Sequence, residues 1–447
     1  MHKDLQGNTL TGATAEAVSS YDQAVRSFNI YRGDPEALID AAIAAAPEFA
    51  TAHLFKAGIY ATASEPEATA GAIEILHQAA SLPMNDREQS LASALKRLVA
   101  GHWNAAAEAL DRHSMLYPHD LPALQFGHLL DFYRGNARNL RDRIARALPH
   151  WSANRPGYSI VLGMQSFGHE EMADYRRAEE FGRQAVELEP QDSWAHHAVA
   201  HVMEMMGRPE DGIGWMTARE PHWSGKDNLF EIHNWWHRAL FHLDLGQTEQ
   251  VLALYDGPIR EDKGGVVLDL IDASALLWRL HLCGHDVGDR WNELSVAWEA
   301  QSDGALYAFN DWHAAMAHLG AGRDDVLGGL VEKLKRTASA TDNGDAAMFT
   351  RDVGLPVIEG FTAFFRGDHT TAVDRLFGVR YLANRFGGSH AQRDIIDWTL
   401  VEAALRGGDR AVAISLANER LAGKPHSPVN LNFLKRSQAA SEKAIAA

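Results

Sequence analysis

Apolar and polar positions along this chain recur with the helical period of about 3.6 residues, and alternating β-branched runs are scarce. The pattern predicts an all-α fold. Ala15 to Ile30 reads as a first helix. Gly33-Asp34-Pro35 punctuates the chain before a second over Ala37 to Ala46, and Pro47 opens a third. Near the other end the stretch from Gly423 to Pro428 breaks the pattern, and Leu431 to Ala447 reads as a terminal helix.

The helices are expected to come in pairs, because residue types recur at a spacing of about 34 residues. A frame opened at Arg87 puts Ala94, Gly101, Ala106, Leu110 and Pro118 at its eighth, fifteenth, twentieth, twenty-fourth and thirty-second positions. A frame opened at Val353 gives Gly360, Gly367, Ala372 and Leu376 at the first four of these, and one opened at Ser159 gives Ala178 at the twentieth and Pro190 at the thirty-second. Small residues let two helices cross closely, and glycine at the fifteenth position permits a left-handed turn. This is the pattern of a tetratricopeptide repeat. Pro156, Pro190, Asn228, Gly265, Gly304 and Asn343 continue the punctuation. The expectation is a right-handed α-α superhelix of roughly ten helix pairs, a single solenoid over residues 1–447, with 1–14 as an N-terminal segment and 423–447 as a capping segment. Insertions that lengthen some repeats are expected on one rim, where loops can build a site.

Composition narrows the function classes. The chain has 447 residues, 46% hydrophobic and 23% charged, as an ordinary globular protein does. Its formal net charge of -17 opposes binding to a phosphate backbone, so no nucleic-acid partner is expected. No apolar run reaches membrane-spanning length and the start lacks a signal-peptide pattern, which points to the cytoplasm and to no membrane partner. The single cysteine, Cys283, excludes an intramolecular disulfide and a multi-cysteine zinc site, and reads as a small buried thiol. Oligomeric state is left open, a homo-oligomer included.

Candidate chemistry concentrates in Trp194 to Glu204 and His233 to His237. In the repeat register fixed by Pro190, Ala200 and Gly207, the groove-facing set is Trp194, His197, His201, Glu204 and Met205. Ala239 and Gly246 anchor the next register, which turns His233, Trp236 and Leu240 to the groove with His237 beside them. Ala315 and Gly322 do the same for Phe309, Trp312 and Met316, with His313 placed like His237. The intervening repeat offers Ser274, Trp278 and His281. The competing reading makes His237 and His313 hydrogen-bonded core groups and the tryptophans packing residues.

Three chemistries fit these residue types. His197, His201, Glu204 and His237 could act in acid-base catalysis, with Glu204 or Asp311 orienting an imidazole. The same four could hold a zinc-like transition metal, although Ala198 stands where a zinc-protease motif needs Glu. No cofactor is otherwise expected. Finally, a small polar molecule or short peptide could bind against Trp194, His233, Trp236, Trp278, Asp311, Trp312 and His313, with Arg393 as a rim contact. Ser389 and Gln392 near that arginine also have the spacing of a helix capping box. Binding ranks first, an enzyme (hydrolase, lyase or isomerase) second, and a protein-protein scaffold third.

Several strings carry a more specific likeness. WAHHAVAHVMEMMG from Trp194, IHNWWHRALFHLDLG from Ile232, DASALLWRL from Asp272, NDWHAAMA from Asn310 and GGSHAQRD from Gly387 resemble the tetratricopeptide repeat protein 38 family. The resemblance spans nearly the whole chain. It implies a helical-repeat fold and a cytosolic location, and it supplies no catalytic residues.

Overall fold

Helices paired in sequence, the first of many pairs more fully buried than the second, recur along this chain. The computed structural model describes residues 2–341 and 344–445. The first pairs are α1 (Ala15–Ile30) with α2 (Pro35–Ala45), α3 (Ala50–Ala61) with α4 (Pro66–Ala79), and α5 (Asp86–Val99) with α6 (Trp103–Leu116). Then come α7 (Leu121–Tyr133) with α8 (Ala137–Ala147), α9 (Tyr158–Glu170) with α10 (Tyr175–Leu188), and α11 (Ser193–Met205) with α12 (Pro209–Trp223). The chain continues through α13 (Glu231–Asp244), α14 (Thr248–Leu254), α15 (Val267–Leu282), α16 (Arg290–Trp298), α17 (Ala308–Gly320) and α18 (Asp324–Ser339). A short α19 (Ala346–Phe349) leads into α20 (Leu355–Phe365) and α21 (His369–Val379). The last pair, α22 (His390–Gly407) and α23 (Arg410–Gly423), is followed by α24 (Pro428–Ile445). Among the described residues the only strands are β1 (His2–Lys3) and β2 (Thr9–Leu10), an antiparallel pair within the segment read as a polar N-terminus. The fold is all-α and tetratricopeptide-repeat-like.

The chain divides into two compact units. One comprises Met1–Val199, Arg219–Glu231 and Asn343–Asp345; the other comprises Ala200–Ala218, Ile232–Asp342 and Ala346–Ala447. No helix among the described residues is long and apolar enough to cross a membrane.

The repeat register has direct structural counterparts. Gly101, Gly207, Gly246, Gly322 and Gly367, all placed at turns by the sequence, adopt positive φ between 64° and 81°. The crossing positions Ala94, Ala106, Ala200, Ala239 and Ala372 have no exposed surface. At Gly360 a methyl group would stand 2.5 Å from Leu376, which shows how closely α20 and α21 approach. Several helix starts carry side-chain caps: Asn85 and Glu88 form a reciprocal capping box on α5, and Asp120 caps α7.

Burial differs sharply within a pair. In α9 every residue from Ile160 to Glu170 is buried, whereas α10 buries only Ala178, Gly182, Ala185 and Val186. In the second unit α15 packs against α16, α17 and α22, so its buried set runs almost unbroken from Val267 to Leu282. This corrects the picture of an open groove. The lining positions of several first helices are packed interior because neighbouring helices cover them. Cys283 is also corrected: it is exposed, because α15 ends there and the chain turns at Gly284, whose φ is +83°.

Candidate functional site

The sequence-selected residues occur in both units. In the first unit, Trp194 stacks on Tyr31 with ring centroids 5.9 Å apart and meets His128 edge-on at 5.6 Å. Together with Asn29, Gln125 and Asp192 these groups surround about 10 Å³ of free space, room for roughly one water. Burial pushes the Asp192 carboxyl up to about 7, although it accepts from the Ala195 N–H, and burial lowers His128 to about 3. His197 lies among aromatic rings, 5.3 Å from Phe167, 5.0 Å from Trp194 and 5.1 Å from Phe230.

The second unit brings three of the selected histidines together. His201 on α11 meets His237 on α13 edge-on at 4.4 Å, and His237 meets His233 at 4.9 Å and 89°. The i, i+4 spacing on α13 places His233 and His237 on one face, and Trp236 stacks on His233 at 5.2 Å. Two carboxylates orient these rings. His233 donates from Nδ1 to Asp272 at 2.8 Å, and His237 Nδ1 lies 3.2 Å from Glu204 Oε2. Burial raises the Asp272 carboxyl, against the opposing pull of His233 and Arg279. Burial first, and neighbouring positive charge second, hold His201 and His237 well below the usual imidazole range, so both are neutral near pH 7. His201, His233 and His237 could hold a metal ion, since each offers a ring nitrogen within 4.8 Å of the others.

Beside this cluster runs a charged cleft. Its walls include Glu204, Asp244, Arg279, Asp394, Arg420 and Lys424, around about 40 Å³ of free space. Arg420 grips Asp394 with two bonds of 2.9 and 3.0 Å and donates to Asn430 at 2.8 Å. Burial alone would raise the Asp394 carboxyl, but Arg420 and then Lys424 outweigh it and hold it far below the usual range. Asp244 accepts from Ser427 at 2.7 Å, and burial raises its carboxyl. Lys424 stands 3.9 Å from Glu204.

Arg279 differs from the other cations. It is 2% exposed and donates to the backbone carbonyls of Ala275 at 3.2 Å and Ala391 at 2.6 Å, with its guanidinium 5.4 Å from the Trp236 ring centroid. It forms no carboxylate ion pair among the described residues. Burial lowers it to about 10, against attraction from Asp394 and Glu204.

The other candidates do not line this cleft. Trp278 donates from Nε1 to Thr399 at 3.0 Å and stacks on Phe361 at 4.8 Å. Trp312 sits among Phe309, Phe361 and Phe386. His313 donates from Nδ1 to the Phe309 carbonyl at 2.8 Å, and burial lowers it to about 3. Arg393 reaches the carbonyls of Gly387 and Gly388, while Ser389 and Gln392 form the capping box of α22. Asp311 accepts from the Gly304 N–H at 3.1 Å and orients no imidazole; burial, then Asp303, pushes it up to about 8. Its folded value lies above the unfolded value of about 3.9, so its contribution to stability is complete below about pH 4 and is lost as pH rises through 8. Asp311→Asn is therefore expected to flatten the pH dependence over that window and to raise the urea midpoint at pH 8; equal slopes in variant and wild type would contradict this.

Arg279, Asp394, Arg420 and Lys424 were not singled out as a site from sequence. The available signal was charge inside an apolar run, at Asp272 and Arg279 of α15, seven residues apart and so on one helical face.

No family model matches the chain. Similar solved structures include the APC/C hetero-tetramer Cut9–Hcn1, at TM-score 0.45 and 12% identity, covering 94% of this chain and 76% of that one. The human IFIT1 dimer with PPP-AAAA is similar at TM-score 0.44 and 12% identity, covering 96% of this chain and 95% of that one.

Proposed function

We propose that this helical-repeat protein binds a small anionic molecule in the charged cleft of its second unit. Arg279 carries the reading. Its guanidinium is buried, lines the cleft and is held by two carbonyls, without a carboxylate partner among the described residues. A buried charge left uncompensated costs about 3–5 kcal/mol. A carboxylate or phosphate group in the cleft offsets that cost, and guanidinium geometry suits such a group. The narrow free space of about 40 Å³ favours entry of the anionic head alone, with the rest of the ligand outside.

Acid-base chemistry on the bound anion is the second reading, favoured by Glu204, which both lines the cleft and faces His237 Nδ1. Membership of the tetratricopeptide repeat protein 38 family, with a cytoplasmic location, belongs to the same proposal. The strings that resemble that family carry Glu204, His237 and Arg279.

The test compares unfolding of wild type and Arg279→Met in inorganic phosphate or oxalate against chloride of equal ionic strength. A ligand at a hundred times its Kd stabilises by about 2.7 kcal/mol. Wild type is expected to gain stability specifically and the variant to gain none. Equal gains in both proteins, or none in wild type, would overturn the proposal.

A further inference from the structure

We infer that His201, His233 and His237 form a binding site for a divalent transition metal, with Glu204 and Asp272 as the groups that orient two of its ligands. None of the three ligands lines the anion cleft, and of the two orienting carboxylates only Glu204 is shared with it. Three imidazoles from two helices meet within the second unit, each presenting a nitrogen within 4.8 Å of the other two. A three-histidine set is a known donor arrangement for zinc that leaves a fourth position for water or substrate.

The outer partners give the cluster its direction. A metal-bound histidine ordinarily donates its other ring nitrogen to a carboxylate or carbonyl, which fixes the tautomer and the ring plane. Both histidines of α13 have such a carboxylate at Nδ1: Asp272 for His233 at 2.8 Å, and Glu204 for His237 at 3.2 Å. Each ring is thereby held from its Nδ1 side. The carboxylates come from α15 and α11, so the rings are set by two different helices. Glu204 thus serves as an orienting group, and His233 takes the ligand place that the sequence had offered to it.

Fit to a metal can be checked against bond lengths. With zinc–nitrogen bonds of about 2.1 Å, tetrahedral ligand nitrogens stand roughly 3.4 Å apart. The rings must close by up to about 1.4 Å, from a separation of up to 4.8 Å to roughly 3.4 Å, a movement within reach of small side-chain torsions. Trp236 stacked on His233 supplies an apolar wall, which suits exclusion of bulk water from the ion.

The experiment uses the full-length protein, exposed to Zn²⁺ or Co²⁺ in chloride buffer and dialysed. Elemental analysis is expected to find one retained equivalent, and the Co²⁺ form is expected to show the intense visible bands of a four-coordinate nitrogen-rich site. His237→Ala should lose both signals. His242→Ala, on the same helix with its ring half-buried and bonded to Gln247, should keep them. Asp272→Asn retains all three imidazoles and is expected to weaken Zn²⁺ affinity by about 10–100-fold, an effect read by competition with a chelating dye. Failure of folded wild type to retain metal would overturn the site whatever the variants do. So would an unchanged Co²⁺ spectrum in folded His237→Ala, or unchanged affinity in Asp272→Asn.

Discussion

Asp120→Ala is expected to destabilise the protein by about 3–5 kcal/mol, the usual result of stripping one partner from a buried ion pair. Asp120 joins Arg87 and His113, and all three side chains are almost completely buried. One carboxylate oxygen takes the Arg87 guanidinium and His113 Nε2, the latter at 3.1 Å, while the other caps α7 through the Ala123 N–H at 3.2 Å. Arg87 reaches on to Thr51 at 3.1 Å, and Thr51 donates to Glu88 at 2.6 Å. Removing Asp120 therefore strands a buried guanidinium and uncaps a helix together.

The same pair has a pH signature. Burial alone would raise the Asp120 carboxyl, but Arg87 and then His113 hold it far below the usual carboxylate range. A depressed folded value means that the stabilisation is complete above the unfolded value of about 3.9 and is lost as pH falls below it toward the folded one. Urea unfolding at pH 7 and pH 3 should show the gap between wild type and Asp120→Ala narrowing in acid. A loss below about 1 kcal/mol at pH 7 would mean that water reaches Arg87.

Trp278→Ala should cost about 3–5 kcal/mol as well, through a cavity in the second unit. The indole has no exposed surface, stacks on Phe361 and donates to Thr399, whose hydroxyl donates to the Ile395 carbonyl at 2.6 Å. The expected result separates two roles the sequence left open. A ligand contact would lose binding with little change in stability; a core residue loses stability. Trp278→Phe keeps most of the apolar volume and gives up the Thr399 bond, so a smaller loss of about 1–2 kcal/mol is expected.

How much of this was legible can be judged from particular residues. Glycine at the turn positions and alanine at the crossings are local requirements, and the turns at Gly101 and Gly207 occur where spacing put them. His233 and His237 share a face because four residues make about one helical turn. Their carboxylate partners were less legible, since Asp272 lies 39 residues from His233 and on another helix.

The sequence by itself determined the helices, their pairing register and the faces on which His201, Glu204, His233 and His237 stand, because each depends on spacing within one or two turns. Only the tertiary structure decided which of those faces are covered. It assigned Asp272 and Glu204 to individual rings, buried Trp278 and Trp312, and brought Arg279, Asp394 and Arg420 from three helices to one cleft. Burial and charge pairing between distant helices depend on how their surfaces pack together, and no local spacing encodes that.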